Sequence, residues 1–246
     1  MMFNEFSLTG KRLTNQDYVL IQKLNPRYSL YLIADGMGGY ELGELAARTV
    51  ADSILTYLKR VTKICSEDIQ KAINKSNLAI RQLKEDNKKQ LGATVGGVLF
   101  CEGKATCFWV GDVKIYLFHN GNIVFESTPH SLMDEVIKNG SLTDNGRAIK
   151  FSHTVTRSIQ GNVEKSQANI IELGYVHCNE DLLFICSDGV HSTLEGVQIQ
   201  QILEASSSVE EAVNIIKDKC ATDSKDNFSL ISIQNCLDVV VDNRID

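Results

Sequence analysis

Little in this chain marks a break between domains. Only two prolines, Pro26 and Pro129, occur in 246 residues, and no Ser/Gly/Pro-rich tract, internal repeat or low-complexity segment stands where a linker would. One domain spanning 1–246 is the expectation, and a 43% hydrophobic content is enough to give it a proper core. Basic charge is scarce too: 25 Lys and Arg against 31 Asp and Glu leave a formal net charge of −6. That balance disfavours non-specific nucleic-acid binding, which needs clustered cations to displace phosphate counterions. No run approaches the ~18 apolar residues of a membrane span. The opening Met1-Met2-Phe3-Asn4-Glu5-Phe6 has no basic segment leading into an apolar one. A cytoplasmic monomer with no membrane partner is expected.

Seven cysteines, an odd number with no Cys-x-x-Cys pair, read as reduced thiols. His177-Cys178 has the opening of a tyrosine-phosphatase loop. That loop needs an Arg six residues beyond its cysteine, where Phe184 stands, and Glu180 and Asp181 would disfavour a thiolate.

What is present is a regular alternation of patterns. Segments 3–9, 18–22 and 29–34 read as strands, the last apolar enough to be central. Leu42, Ala46, Val50, Ile54 and Leu58 recur at helical spacing, as do Ile69, Ile73, Ile80 and Leu83, predicting two amphipathic helices. Runs at 93–100, 105–110, 115–118 and 122–126 follow, with turn signals at Glu102-Gly103 and Asn120-Gly121, and predict a four-stranded meander. A helix is expected near 131–139 and again at 208–220, with strands near 170–173, 182–187 and 228–234. Hairpins beside helical pairs imply an α+β fold of antiparallel sheets covered by helices.

Three acidic sites share one context, an apolar β-like run beside a residue that permits a turn: Ile33-Ala34-Asp35-Gly36, Cys186-Ser187-Asp188-Gly189 and Lys225-Asp226-Asn227-Phe228. A carboxylate at the end of a buried strand sits on a rigid support and suits hard cations that prefer oxygen ligands. Singly, Asp-Gly and Asp-Asn are ordinary turn dipeptides. Asp35 is set apart by Gly36-Met37-Gly38-Gly39, a flexibility that carries an entropic cost unless close approach requires it. A phosphate-cradling P-loop is the rival, but its Gly-Lys-Ser/Thr ending is missing.

The order of these pieces resembles the type 2C metal-dependent protein phosphatases (PPM family), and their bacterial members in particular. The resemblance runs over about residues 7–233. It rests on Gly10-Lys11-Arg12, Asn15-Gln16-Asp17, Asp35-Gly36-Met37-Gly38-Gly39, Gly92-Ala93-Thr94, Gly111-Asp112, Ser187-Asp188-Gly189 and Asp226-Asn227. It implies two antiparallel sheets packed as a sandwich and flanked by helices, in α-β-β-α layers, with a flap at about 129–168. It also implies two Mn²⁺ or Mg²⁺ ions. Asp35 would bridge them, Asp188 and Asp226 would complete one site, and the Gly36 carbonyl would help hold the other. Gln16 stands where many relatives have Glu, Asp17 would act as a ligand through water or as an orienting carboxylate, and Asp112 resembles the ligand of a third, weaker ion. Arg12 would grip the phosphate, for which its planar fork is suited. A bridging hydroxide would attack phosphorus in phosphoserine and phosphothreonine proteins, and a cognate serine/threonine kinase would be the natural counterpart.

Several positions depart from that pattern. Met37 replaces the His of animal relatives, so that a metal-bound water or another acid would protonate the leaving serine oxygen, with His130 and His191 as candidates by proximity. Thr128-Pro129-His130-Ser131 lacks an Asp that relatives often carry, Ser192 replaces an acidic residue, and Lys114 stands where many have Arg. Gln16 and Ser192 keep open a second reading, a catalytically weak 2C fold that binds phosphoproteins as a regulator. In 136–168, Lys138, Arg147, Lys150, Arg157 and Lys165 outnumber Asp144 and Glu164, which predicts a basic flap that steers acidic phosphopeptides.

Overall fold

In a computed structural model, residues 1–37, 41–131, 155–164, 166–177 and 180–234 are described. Gly38 and Gly39, all but the first residue of the expected helix near 131–139, and Lys138, Asp144, Arg147, Lys150, Lys165 and Cys178 lie outside them. Strands β1 (Met2–Leu8), β2 (Asp17–Lys23) and β3 (Tyr28–Met37) precede helices α1 (Glu41–Leu58) and α2 (Ser66–Asn87). Strands β4 (Gly92–Cys101), β5 (Lys104–Val110), β6 (Lys114–His119), β7 (Asn122–Glu126), β8 (Asn169–Tyr175) and β9 (Asp181–Cys186) follow. The chain then forms α3 (Asp188–His191), α4 (Gly196–Ala205), α5 (Val209–Asp223) and β10 (Phe228–Gln234).

The strands make two antiparallel five-stranded sheets, ordered β1-β10-β9-β6-β7 and β2-β3-β4-β5-β8. Period-2 alternation makes β3 the centre of the second sheet. Leu30, Leu32 and Ala34 pack with Ala46, Val50 and Ile54 of α1, whereas Tyr31 and Ile33 point into the layer between the sheets. There they meet Ile115, Ile185 and Ile231 of the other sheet. Strands β9 and β10 repeat the pattern, with Phe184 and Leu230 against Ile199 of α4 and Ile216 of α5. Three cores therefore separate four layers in α-β-β-α order, and burying each large aliphatic is worth roughly 1.5–3 kcal/mol.

Both turn dipeptides adopt the expected hairpin geometry, with positive φ at Glu102 and Gly103 and at Asn120 and Gly121. The four strands between 92 and 126 are nevertheless not one meander. Strands β4 and β5 belong to one sheet and β6 and β7 to the other. The reason is Gly111. At φ +108 it turns the chain across the sandwich, packed so closely on Thr94 that a Cβ there would collide with it. Helix α4 is hard to see in the sequence because its amphipathic signal is thin: Ile199 is its one buried large side chain, and Val197 is exposed on the outside.

Candidate active site

One end of the sandwich collects the acidic motifs. On the second sheet Asp17 opens β2 and pairs in register with Asp35 of β3. On the first sheet β9 ends at Cys186, β10 begins at Phe228 and β6 begins at Lys114, with Lys114 and Leu230 both in register with Cys186. The Gly111-Asp112 crossing joins the two edges. Asp35 is not at a strand end as its sequence context suggests, because β3 continues through Gly36 to Met37. What permits this is a close approach of α1: a Cβ on Gly36 would collide with the Gly43 carbonyl, and one on Gly43 with the Gln16 side-chain amide.

Asp17 ties the sheets together. Its Oδ2 accepts from Ser187 Oγ, just past the end of β9, at 2.8 Å and from Ser229 Oγ on β10 at 2.7 Å. Its Oδ1 is buried without a hydrogen-bond partner. Burial pushes the Asp17 carboxyl up to about 6, against the two serine bonds, and Asp226 and Asp112 add to the rise. Asp188, the first residue of α3, is pushed up to about 8 by burial and then by Asp112, Asp226 and Asp17. Asp35 is raised well above the usual carboxylate range by burial and by Asp17, Asp188, Asp112 and Asp226. Five carboxylates thus crowd one end of the molecule and repel one another.

Arg12 lies at that end on the 9–16 loop, with Nη2 2.7 Å from Asp226 Oδ2. The loop and the acidic strand ends are linked through the backbone of Gln16, whose N–H donates to Asn227 Oδ1 at 2.9 Å and whose carbonyl accepts from Gly36 N at 3.1 Å. Asn15 accepts from the Asp17 N–H and donates to Ser7 Oγ. Both candidate acids are bound to the crossing. Gly111 N–H donates to Nδ1 of the buried His130 at 3.1 Å, and His191 Nε2 lies 2.9 Å from the Asp112 carbonyl, so it is the donor there. Lys114 pairs with Glu126, and the Ser192 N–H donates to the Asp188 carbonyl.

The donor set fits a hard divalent cation: carboxylates and a carbonyl, mutual repulsion that an ion would relieve, and an orphaned buried oxygen on Asp17. Among the described residues no three His, Cys, Asp or Glu side chains already converge on one point at coordination distance, so ligation would require the carboxylates to turn toward a shared ion. The five described cysteines whose state is defined are free, and burial raises the thiols of Cys107 and Cys186, the reverse of what a nucleophile needs. The roles of Ser187, Ser229 and Asn227 leave little trace in the sequence. The one signal they give is a polar residue at or beside a strand that is buried along almost its whole length.

The profile of the protein phosphatase 2C family matches residues 8–225. The chain belongs to that family. A 2C-type relative from Streptococcus pyogenes is 30% identical over 212 residues, covering 82% of this chain and 83% of its own. Among solved structures, the serine/threonine phosphatase of S. agalactiae superimposes with a TM-score of 0.82 at 21% identity, over 94% of this chain and 98% of that one. The catalytic domain of the phosphatase PstP, solved with two manganese ions, gives 0.75 at 22% over 94% and 96%. The four-layer fold is the one these bacterial PPM phosphatases share. No helix among the described residues is long and apolar enough to cross a membrane.

Proposed function

We propose that this type 2C chain is one catalytic domain that hydrolyses phosphoserine and phosphothreonine in phosphoproteins, opposing a serine/threonine kinase, with manganese or magnesium as cofactor. The observation that carries the reading is the crowding of Asp17, Asp35, Asp112, Asp188 and Asp226 at one end of the sandwich, close enough to oppose one another's charge, with Arg12 beside them. Asp35, the Gly36 carbonyl, Asp188 and Asp226 would hold two ions, and Asp112 would share a third with Asp188. Gln16 can add only its neutral amide. Bound there, divalent ions supply positive charge against the phosphate and an activated water.

The chain's own residues do the rest. Arg12 places two donors on the outer phosphate oxygens, which fixes phosphorus relative to the carboxylate cluster. Asp17, held through Oδ2 by Ser187 and Ser229, would offer its remaining buried oxygen, Oδ1, to a water on an ion. Met37 has no acidic proton to give, and His130 and His191 are engaged with the Gly111-Asp112 turn, so the leaving serine oxygen takes its proton from water within the site.

The test is turnover of p-nitrophenyl phosphate and of a phosphothreonine peptide with and without manganese. Turnover that appears with the metal and resists thiol-directed inhibitors is expected. Equal rates after exhaustive chelation would overturn the assignment.

A further inference from the structure

The loop that carries Arg12 has almost no apolar anchor of its own. Lys11, Arg12 and Leu13 are exposed, Leu13 at 84%. Arg12 pairs with Asp226, Asn15 donates to Ser7 and the Gln16 carbonyl accepts from Gly36, but one side chain holds the loop at both ends: that of Asn227, 4% exposed and immediately before β10. Asn227 Nδ2 donates to the Thr9 carbonyl at 2.8 Å and to the Thr14 carbonyl at 2.9 Å, while its Oδ1 accepts from Gln16 N–H at 2.9 Å. Those three bonds grip both ends of the 9–16 loop and use every hydrogen-bonding atom of the amide. Gly10, at φ +60, lies so close to the Asp226 carbonyl that a Cβ there would collide with it, so the loop's return path is also set by the 226–227 turn. Arg12 sits between the clamped ends, and its own N–H reaches the Thr9 carbonyl at 3.3 Å.

We propose that Asn227 is a positioning residue: it touches no substrate, and by clamping the 9–16 loop it fixes where the Arg12 guanidinium meets the phosphate. This rests on the phosphatase reading above. An amide is needed because the clamp requires two donations and one acceptance from a single planar group; Asp could only accept and Leu could do neither. A pre-fixed loop also spares the ordering that a free one would undergo on binding phosphate.

The experiment is a double-mutant cycle of Asn227→Ala and Arg12→Ala on the manganese-loaded full chain, reading KM and kcat for p-nitrophenyl phosphate, Ki for inorganic phosphate, and Tm. Asn227→Ala should raise KM and the phosphate Ki about tenfold, more than it lowers kcat, and the double variant should be no worse in either constant than Arg12→Ala alone. A merely structural residue would give effects that add, and additivity overturns the proposal. So does an unchanged KM in Asn227→Ala while Arg12→Ala raises it, a result that leaves the phosphatase reading standing. No metal-dependent turnover in the unmodified chain would overturn both. Should Asn227→Ala fail to fold, Asn227→Ser carries the same cycle without adding charge.

Discussion

Ile33 and Asp35 stand two residues apart on β3 and so share a face, yet their surroundings are opposite. Ile33 is fully buried between the sheets among Ile115, Ile185 and Ile231. Asp35 meets four other carboxylates that all raise its pKa. The middle of the sandwich is where packing is satisfied, and its end is where like charges are held together against their repulsion. A rigid apolar strand makes that end possible, because the carboxylates cannot move apart without disturbing the layer beside them.

The sharpest way to break the comparison is to alter each member. Asp35→Asn should reduce manganese-dependent turnover by more than the roughly 10–100-fold typical of changes around a metal ligand. In the metal-free protein at pH 8 the same change should stabilise, by on the order of 1 kcal/mol or more, because it removes a group whose charged form burial and four neighbours oppose. Ile33→Ala should do the reverse, destabilising by about 2–5 kcal/mol through lost burial and a cavity. Urea titrations with chelator present check the pair. Equal and same-signed effects of the two on stability would show that the end of the strand is not strained by charge.

A second contrast is between acid and alkaline conditions. Asp17 at about 6, Asp188 at about 8 and Asp35 above the usual range all bind their protons more tightly folded than unfolded. The native state therefore holds more protons between about pH 4 and 8, and metal-free stability should fall as pH rises through that window, by up to a few kcal/mol in total. Manganese at pH 8 should restore it by binding the folded form alone. Melting temperatures across pH, with chelator or with metal, read both effects. A flat profile would mean the repulsion is already relieved.

Much of this contrast can be read in the sequence, and the unread part has physical reasons. The apolar alternation of 29–34 and the Asn120-Gly121 turn identify strands and a hairpin locally, because both signals live within a few residues. The pairing of β1 with β10, Met2 against Gln234, leaves no local trace. Neither does the switch of sheets at Gly111, whose sequence looks like any Gly-Asp turn. The acidic motifs stand out as carboxylates beside apolar runs. Their supports do not: Ser187, Ser229 and Asn227 are ordinary polar residues until the fold brings strands 42 positions apart beside Asp17. Removing one of them, as in Ser229→Ala, takes a donor from a buried carboxylate and should cost about 1.5–3 kcal/mol at pH 8.

Arg12 is expected to show the smallest effect on stability and so marks the other limit of the comparison. Its ion pair with Asp226 is short, but the side chains are 58% and 35% exposed. Exposed pairs contribute only about 0–1 kcal/mol once solvent screening and side-chain entropy are counted. Arg12→Ala should therefore leave Tm nearly unchanged while raising KM for phosphopeptide more than it lowers kcat. Arg12→Lys should recover only part of the loss, since an ammonium cannot offer two parallel donors to one phosphate. Salt sharpens the distinction, because added NaCl should erase what little the pair gives to stability and leave the difference between Arg and Lys in KM, which depends on geometry more than on charge. An unchanged KM in both variants would make Arg12 a surface charge, and a Tm loss comparable to that of Ile33→Ala would place it with the packed interior instead of the reactive end.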